Sequence, residues 1–294
     1  MRNPFESRIR SKIEEKSNDD SVDVLLSEFP AELQDRLEAE IAGLDQQGAE
    51  DLLMNKLIAR REALVEWRLD DLSKKVEVTH EVPLGVLASI ERSSQEGPSS
   101  MLGEGMNGRV YESVRKDFAC YKVLFLERAR QLQLNIIREA TLQHDINEVL
   151  RKDPSVAQVP AVMGFVEHSQ VLAIMMGKIK GASMLQILKG KAEFPPDFDV
   201  DTFFDKLERA VLLMNEHGYY HRDLTNNSGN VMVDEEGNPW IVDFGSAIKA
   251  MHPSDNDQIF QIKPGGAHIL ASDLSGVRRL KEKVIEYLRA KEYE

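Results

Sequence analysis

Between residues 220 and 245 the chain reads "YHRDLTNNSGNVMVDEEGNPWIVDFG", which carries Asp223, Asp243 and the asparagines Asn226, Asn227 and Asn230. Asparagines in such a stretch can serve turn geometry alone, a reading that fits Asn226 best. Upstream, "GEGMNGRVY" supplies Gly103, Gly105 and Gly108. Glycines at this spacing allow a positive φ in an ordinary turn, or let backbone approach a phosphate closely. Lys122 follows Gly105 by 17 residues, between the apolar runs "FACY" and "VLFL". An ammonium on a buried strand needs a partner. Glu139, on the next predicted helix, can supply it, and Glu148 is a weaker candidate on the same segment. A Lys–Glu pair here would place the lysine on the α- and β-phosphates of a nucleotide.

The elements that must carry these residues fall into three parts. Residues 1–78 read as helix, with Leu33, Leu37, Ile41 and Leu44 on one face. A second stripe follows at Leu53, Leu57, Ile58, Leu64, Trp67 and Leu72. Such stripes predict a helical bundle, or helices packed on a neighbouring domain; a partner-binding module is the sharper alternative. Residues 79–100, ending in "SSQEGPSS", read as a linker, with a short strand or helix open for "VPLGVLASIE". From 101 to 294 a strand-rich part with one helix precedes a helix-rich part with a short hairpin. The glycines fall between two predicted strands, and Lys122 and Cys120 share one face of the next.

In order along the chain stand G-x-G-x-x-G-x-V at 103–110, the strand lysine Lys122, the helix glutamate Glu139, HRDL at 221–224, an asparagine, and DFG at 243–245. This ordered set resembles the protein-kinase superfamily over about 101–275. The resemblance implies an α+β, two-lobed fold, with the N-lobe about 101–176 and the C-lobe about 177–294. It also implies ATP and magnesium as cofactors. Gly103, Gly105, Gly108, Val110, Cys120, Lys122, Met176 and Lys178 would line the nucleotide site, with Cys120 facing the adenine ring. Asp223 would orient or deprotonate the attacking hydroxyl, Lys122 and Glu139 would act with it, and Asp243 would bind magnesium.

The family pattern H-R-D-L-x-x-x-N expects its asparagine at 228, where Ser228 stands. Counting back from DFG selects Asn230 as the second metal ligand, across a loop two residues longer than usual; Asn227 is the alternative. Thr225 replaces the lysine common in Ser/Thr kinases. No A-P-E follows DFG, and 49 residues follow Gly245, which implies a shortened C-lobe. These departures resemble compact atypical kinases, such as the RIO type and some bacterial effector kinases. Asp273 matches the aspartate that braces the catalytic loop in the family, although a plain helix N-cap is also open to it.

Three functions remain: a Ser/Thr protein kinase, a small-molecule kinase of the same fold, and a pseudokinase or scaffold binding partners through 1–78. Arg222 and the regular DFG count against the second, and the full catalytic set counts against the third. The formal net charge of −13 is shared by both parts, with 13 basic and 21 acidic residues in 1–95, and 24 and 29 in 96–294. That argues against nucleic-acid or anionic-membrane partners and leaves a protein substrate. The single cysteine, the lack of an apolar span and the lack of an h-region in "MRNPFESRIRSKIEEK" predict a reducing, cytoplasmic setting. For an injected effector, that cytoplasm would be a host cell's. Oligomeric state is not legible.

Overall fold

The computed structural model describes residues 21–29, 31–96, 101–105, 108–113, 118–168, 171–224, 227–249 and 267–291. Thr225, Asn226 and the segment 250–266 after DFG lie outside them, so the expectations placed there have no structural counterpart.

Three helices open the described chain: α1 (Ser21–Ser27), α2 (Ala31–Ile41) and α3 (Gln46–Ser73). Asp45 caps α3 by accepting from the Gly48 amide at 2.9 Å, which satisfies one of the free N–H groups of the first turn. One end of α3 packs Leu53, Met54 and Leu57 against Leu25 and Leu26 of α1, Phe29 beyond it and Leu37 of α2. Its other end leaves this small core and enters a different one. Val65, Leu69 and Leu72, with Val76 beyond the helix, lie against Leu124, Ile136, Ile137, Ala140, Phe165 and Ile174. The apolar stripe is therefore divided between two cores. Leu33, Leu44 and Trp67, all placed on buried faces by spacing, remain exposed.

The chain then joins a six-stranded sheet. Its strands are β1 (Val78–Thr79), β2 (Met101–Gly105), β3 (Gly108–Glu112), β4 (Ala119–Phe125), β5 (Val162–Glu167) and β6 (Val171–Gly177). The order is β1-β5-β6-β4-β3-β2, with β1 parallel to β5 through Val78↔Phe165 and the other pairs antiparallel. The expected boundary at 78/79 thus cuts through a paired strand. Within the expected linker, the helix left open for "VPLGVLASIE" is the alternative that forms, as α4 (Leu84–Glu96). Val82, Val86 and Ile90 pack on Tyr111, Tyr121, Val123, Val166 and Ala173 of the sheet's outer face. Apolar residues at 82, 86 and 90 recur at four-residue steps, which supplies a helix face where the flanking Ser and Gly suggested a tether.

The inner face is covered by α5 (Leu126–Leu150). This helix spans both lobes. Ile136, Ile137 and Ala140 lie in the sheet core, whereas Leu142, Ile146 and Leu150 lie in the core of the second lobe. That lobe holds β7 (Gly181–Ser183), α6 (Met184–Leu188), α7 (Val200–Glu216), β8 (Tyr219–Tyr220), β9 (Val231–Asp234), β10 (Pro239–Ile241), β11 (Ile248–Lys249) and α8 (Ala267–Lys291). In α7, Phe203, Phe204, Leu207, Val211 and Met214 are buried as their spacing predicts; Leu212 is exposed. Val277, Leu280 and Val284 of α8 close the same core. The fold is the expected two-lobed α+β arrangement. Among the described residues no helix is long and apolar enough to cross a membrane.

Candidate active site

The glycine motif forms the hairpin β2–β3, with Gly105 opposite Gly108 and Gly103 opposite Val110. Gly108 is there for space: a Cβ on it would come within 2.7 Å of the Val123 carbonyl oxygen, closer than real side chains approach backbone. Across the sheet, Val110 faces Lys122 and Lys122 faces Ile174; one row along, Glu112 faces Cys120 and Cys120 faces Met176. Residues two apart on a strand share a face. Val110, Cys120, Lys122 and Met176 therefore lie on the inner face together, as alternation predicts. Lys178 follows β6, and its ammonium is turned onto Glu112 as an ion pair.

Lys122 is the hub of the site. Its Nζ donates to Glu139 Oε1 at 2.6 Å and to Asp243 Oδ1 at 2.8 Å. Its side chain is 9% exposed, that of Glu139 3%, and that of Asp243 42%. Burial by itself would lower the lysine's pKa, but the two carboxylates outweigh it and hold the ammonium charged well above its usual range. Burial pushes the Glu139 carboxyl up, with Lys122 opposing. At Asp243 burial pushes up too, but the adjacent ammonium wins and the carboxyl is held below its ordinary value. Glu148 pairs instead with Arg151 on the surface, at 2.6 Å.

The HRDL residues lie between β8 and β9, and the DFG residues follow β10. Arg222 has φ 68° and Asp243 φ 66°, left-handed values that cost a non-glycine residue on the order of 1 kcal/mol. The loop is held by buried groups. Asp273 of α8 accepts from the His221 amide at 2.8 Å and from the Arg222 amide at 2.9 Å, so it braces the loop and lies within a helix rather than capping one. His221 Nδ1 accepts from the Asp223 amide at 3.3 Å, which assigns the ring proton to Nε2, 3.0 Å from the Val242 carbonyl. Its ring packs 4.9 Å from that of Phe244.

Asp223 Oδ2 receives two carboxamides, Asn230 Nδ2 at 2.8 Å and Asn227 Nδ2 at 3.2 Å. The two asparagines differ in their other atom. Asn227 Oδ1 accepts from the Gly229 amide at 3.1 Å and caps the short 3-10 turn Ser228–Asn230. Asn230 Nδ2 is spent on Asp223, which leaves its Oδ1 for a cation. One carboxylate and one carboxamide form the sparse donor set that suits magnesium when nucleotide phosphates and water complete its shell. Asp243 and Asn230 fit that description.

Spacing did not reveal the direct Lys122–Asp243 bond, the second carboxamide on Asp223, or Arg138. This buried arginine on α5 donates from Nη2 to the Gly245 carbonyl at 3.1 Å. The only available signal for it was a charged residue beside Glu139 on a helix of apolar neighbours.

A two-lobed α+β fold, with a glycine hairpin over a Lys–Glu pair and a DFG aspartate beside them, defines a class of nucleotide phosphotransferases. A family model for the protein kinase domain matches residues 98–263, more than half of the chain, and the chain belongs to that family. It is similar to mitogen-activated protein kinase kinase kinase 3 of Arabidopsis thaliana, 26% identical over 168 residues that cover 53% of this chain and 25% of that protein. It is also similar to the RIO-type serine/threonine-protein kinase Rio2 of Methanocaldococcus jannaschii, 29% identical over 106 residues that cover 36% of each. Serine/threonine-protein kinase stk11 of Xenopus laevis is 26% identical over 155 residues, 52% of this chain and 35% of that protein. The chain spans between about a quarter and about a third of the length of these relatives.

Proposed function

We propose that the chain is a protein kinase that transfers the γ-phosphoryl group of magnesium-bound ATP to Ser or Thr hydroxyls. The observation that carries this reading is the double engagement of Lys122, bonded at once to Glu139 and to Asp243. It brings the helix glutamate, the strand lysine and the DFG aspartate into one arrangement. Magnesium-bound ATP would supply the transferable group and the cation that neutralises its phosphates. Lys122 would hold the α- and β-phosphates, and Asp243 and Asn230 would hold the metal. The inner-face residues Val110, Cys120 and Met176 would receive the base, under a hairpin whose glycines admit phosphate to backbone. Asp223 is presented by its two carboxamides through Oδ2, so Oδ1 is the atom that would accept the substrate hydroxyl's proton. Catalysis of this kind rests on positioning and charge more than on covalent steps.

The test is transfer of labelled γ-phosphate to a mixed protein extract, beside a panel of small alcohols and amino sugars. Acid-stable phosphoserine or phosphothreonine on protein is the expected product. Phosphorylation of the small molecules alone would replace this reading with that of a small-molecule kinase.

A further inference from the structure

We infer that Arg138 is a positioning residue that ties the Asp243–Phe244–Gly245 turn to the helix carrying Glu139, and so holds Asp243 in place for magnesium. The inference rests on the proposed kinase reading. Arg138 is 2% exposed, a depth at which a guanidinium is retained only with polar partners and nearby opposite charge. Its Nη2 reaches the Gly245 carbonyl at 3.1 Å. The other polar group of Gly245, its amide, faces Asp243 Oδ1 at 3.5 Å. The glycine's main chain is thus addressed from one side by α5 and from the other by the aspartate itself.

The turn needs such a hold. Asp243 sits at φ 66°, a strained conformation that persists where its surroundings over-determine it. Its side chain is partly open to solvent, and the Lys122 ammonium that pairs with it is shared with Glu139. The anchor on the other side is rigid. Helix α5 is fixed in the sheet core by Ile136, Ile137 and Ala140 and in the second core by Leu142 and Ile146, so Arg138 stands on a stretch held in the sheet core, just before the helix enters the second. Gln143 and Asn147 fasten the same helix to the Pro160 and Val159 carbonyls at 2.9 and 2.7 Å. The Arg138 guanidinium also acts on Glu139, where with Lys122 it opposes the upward push of burial on that carboxyl. Neighbouring residues 138 and 139 therefore reach the DFG turn by two routes, one through Lys122 to the carboxylate and one directly to the backbone.

The experiment measures, by calorimetry on the full chain, AMP-PNP affinity with and without magnesium chloride, beside γ-phosphate transfer from ATP. Arg138→Met keeps the side chain's approximate bulk and removes its charge and donor. It should leave metal-free AMP-PNP binding within about twofold and cut the magnesium-dependent gain by about tenfold to a hundredfold, the scale of one hydrogen bond from a charged donor. In transfer, KM for magnesium-bound ATP should rise by a similar factor, because the lost affinity is for that complex. Arg138→Lys keeps the charge and part of the reach. Should Arg138→Met fail to fold, the lysine variant carries the test, with a smaller loss of about threefold to tenfold. A folded variant that keeps the full magnesium-dependent gain overturns the inference. So does a variant weakened equally with and without magnesium, because that marks a merely structural role. If the wild-type chain gains affinity with magnesium but transfers nothing, the kinase reading fails while the affinities still judge Arg138. No magnesium-dependent gain in the wild type overturns both.

Discussion

Replacing Lys122 by methionine removes the cation that Glu139 and Asp243 share, and the two carboxylates should respond differently. Asp243, with its side chain 42% exposed, can turn to water. Glu139, at 3%, cannot. Breaking a buried pair by deleting one partner costs about 3–5 kcal/mol, because the remaining charge is left without compensation. Asp243 is discounted for its solvation, so the loss should sit at the low end, about 3 kcal/mol. For a chain of this size that corresponds to a fall in Tm of about 6–12 °C. Adding Glu139→Leu should then restore about 2 kcal/mol, since a buried ion pair replaced by apolar groups is often close to neutral. Arg138 and Asp243 would remain, one charge of each sign. Urea unfolding of the wild type, both single variants and the double variant gives the coupling energy directly. Transfer activity should stay abolished in the double variant, which separates stability from chemistry. Destabilisations that simply add, with no coupling between 122 and 139, would refute the argument that Lys122 and Glu139 form a buried ion pair.

Other consequences follow from the same geometry. Burial pushes the Cys120 thiol up to about 12, the ammonium of Lys178 opposing. Alkylation should therefore rise about tenfold per pH unit from pH 7 to 10 without a plateau, and saturating ATP with magnesium should slow it; a plateau near the ordinary thiol value of about 8.5 would contradict this. Between about 8.5 and 12 the unfolded chain has lost that proton and the folded chain has kept it, so Cys120 should erode stability as pH rises through that window, and Cys120→Ala should remove this part of the slope. Asn230→Ala should cut kcat about a hundredfold and raise the magnesium requirement, whereas Asn227→Ala should cost about tenfold through Asp223 alone; the reverse order would exchange their roles. A chain lacking residues 1–79 loses β1 and the apolar cover of Leu69, Leu72 and Val76, and should aggregate or lose at least about tenfold in activity. Such a chain behaving as a soluble, fully active monomer would show that the N-terminal helices are dispensable.

What could be read before the structure is what adjacency and periodicity encode. The motifs HRDL, DFG and G-x-G-x-x-G are short and local, and strand alternation alone put Cys120 and Lys122 on one face. The brace at Asp273 came through resemblance, since 50 residues separate it from Asp223 and no local pattern joins them. The parallel pairing of β1 with β5 was hidden because two residues carry it and its partner lies 87 positions away, Val78 against Phe165. A helix at 84–96 was one of two readings open for "VPLGVLASIE", and the serines and glycine that follow it favoured a linker. Counting back from DFG favoured Asn230 over Asn227, and the direction of each carboxamide supplies the physical difference between them. Arg138 was equally opaque, because burial of a charged residue is set by tertiary packing and not by its neighbours in the chain.

The central claim is that Asp223 is presented for proton acceptance at an intact nucleotide site. The most direct measurement compares wild type with Asp223→Asn at saturating magnesium and ATP, recording kcat for phosphate transfer to protein and the AMP-PNP affinity in parallel. The account predicts that the substitution lowers kcat by at least about a hundredfold, within the 10²–10⁴ range of a lost general base, while nucleotide affinity changes by less than about threefold. Equal turnover in the two proteins would contradict it.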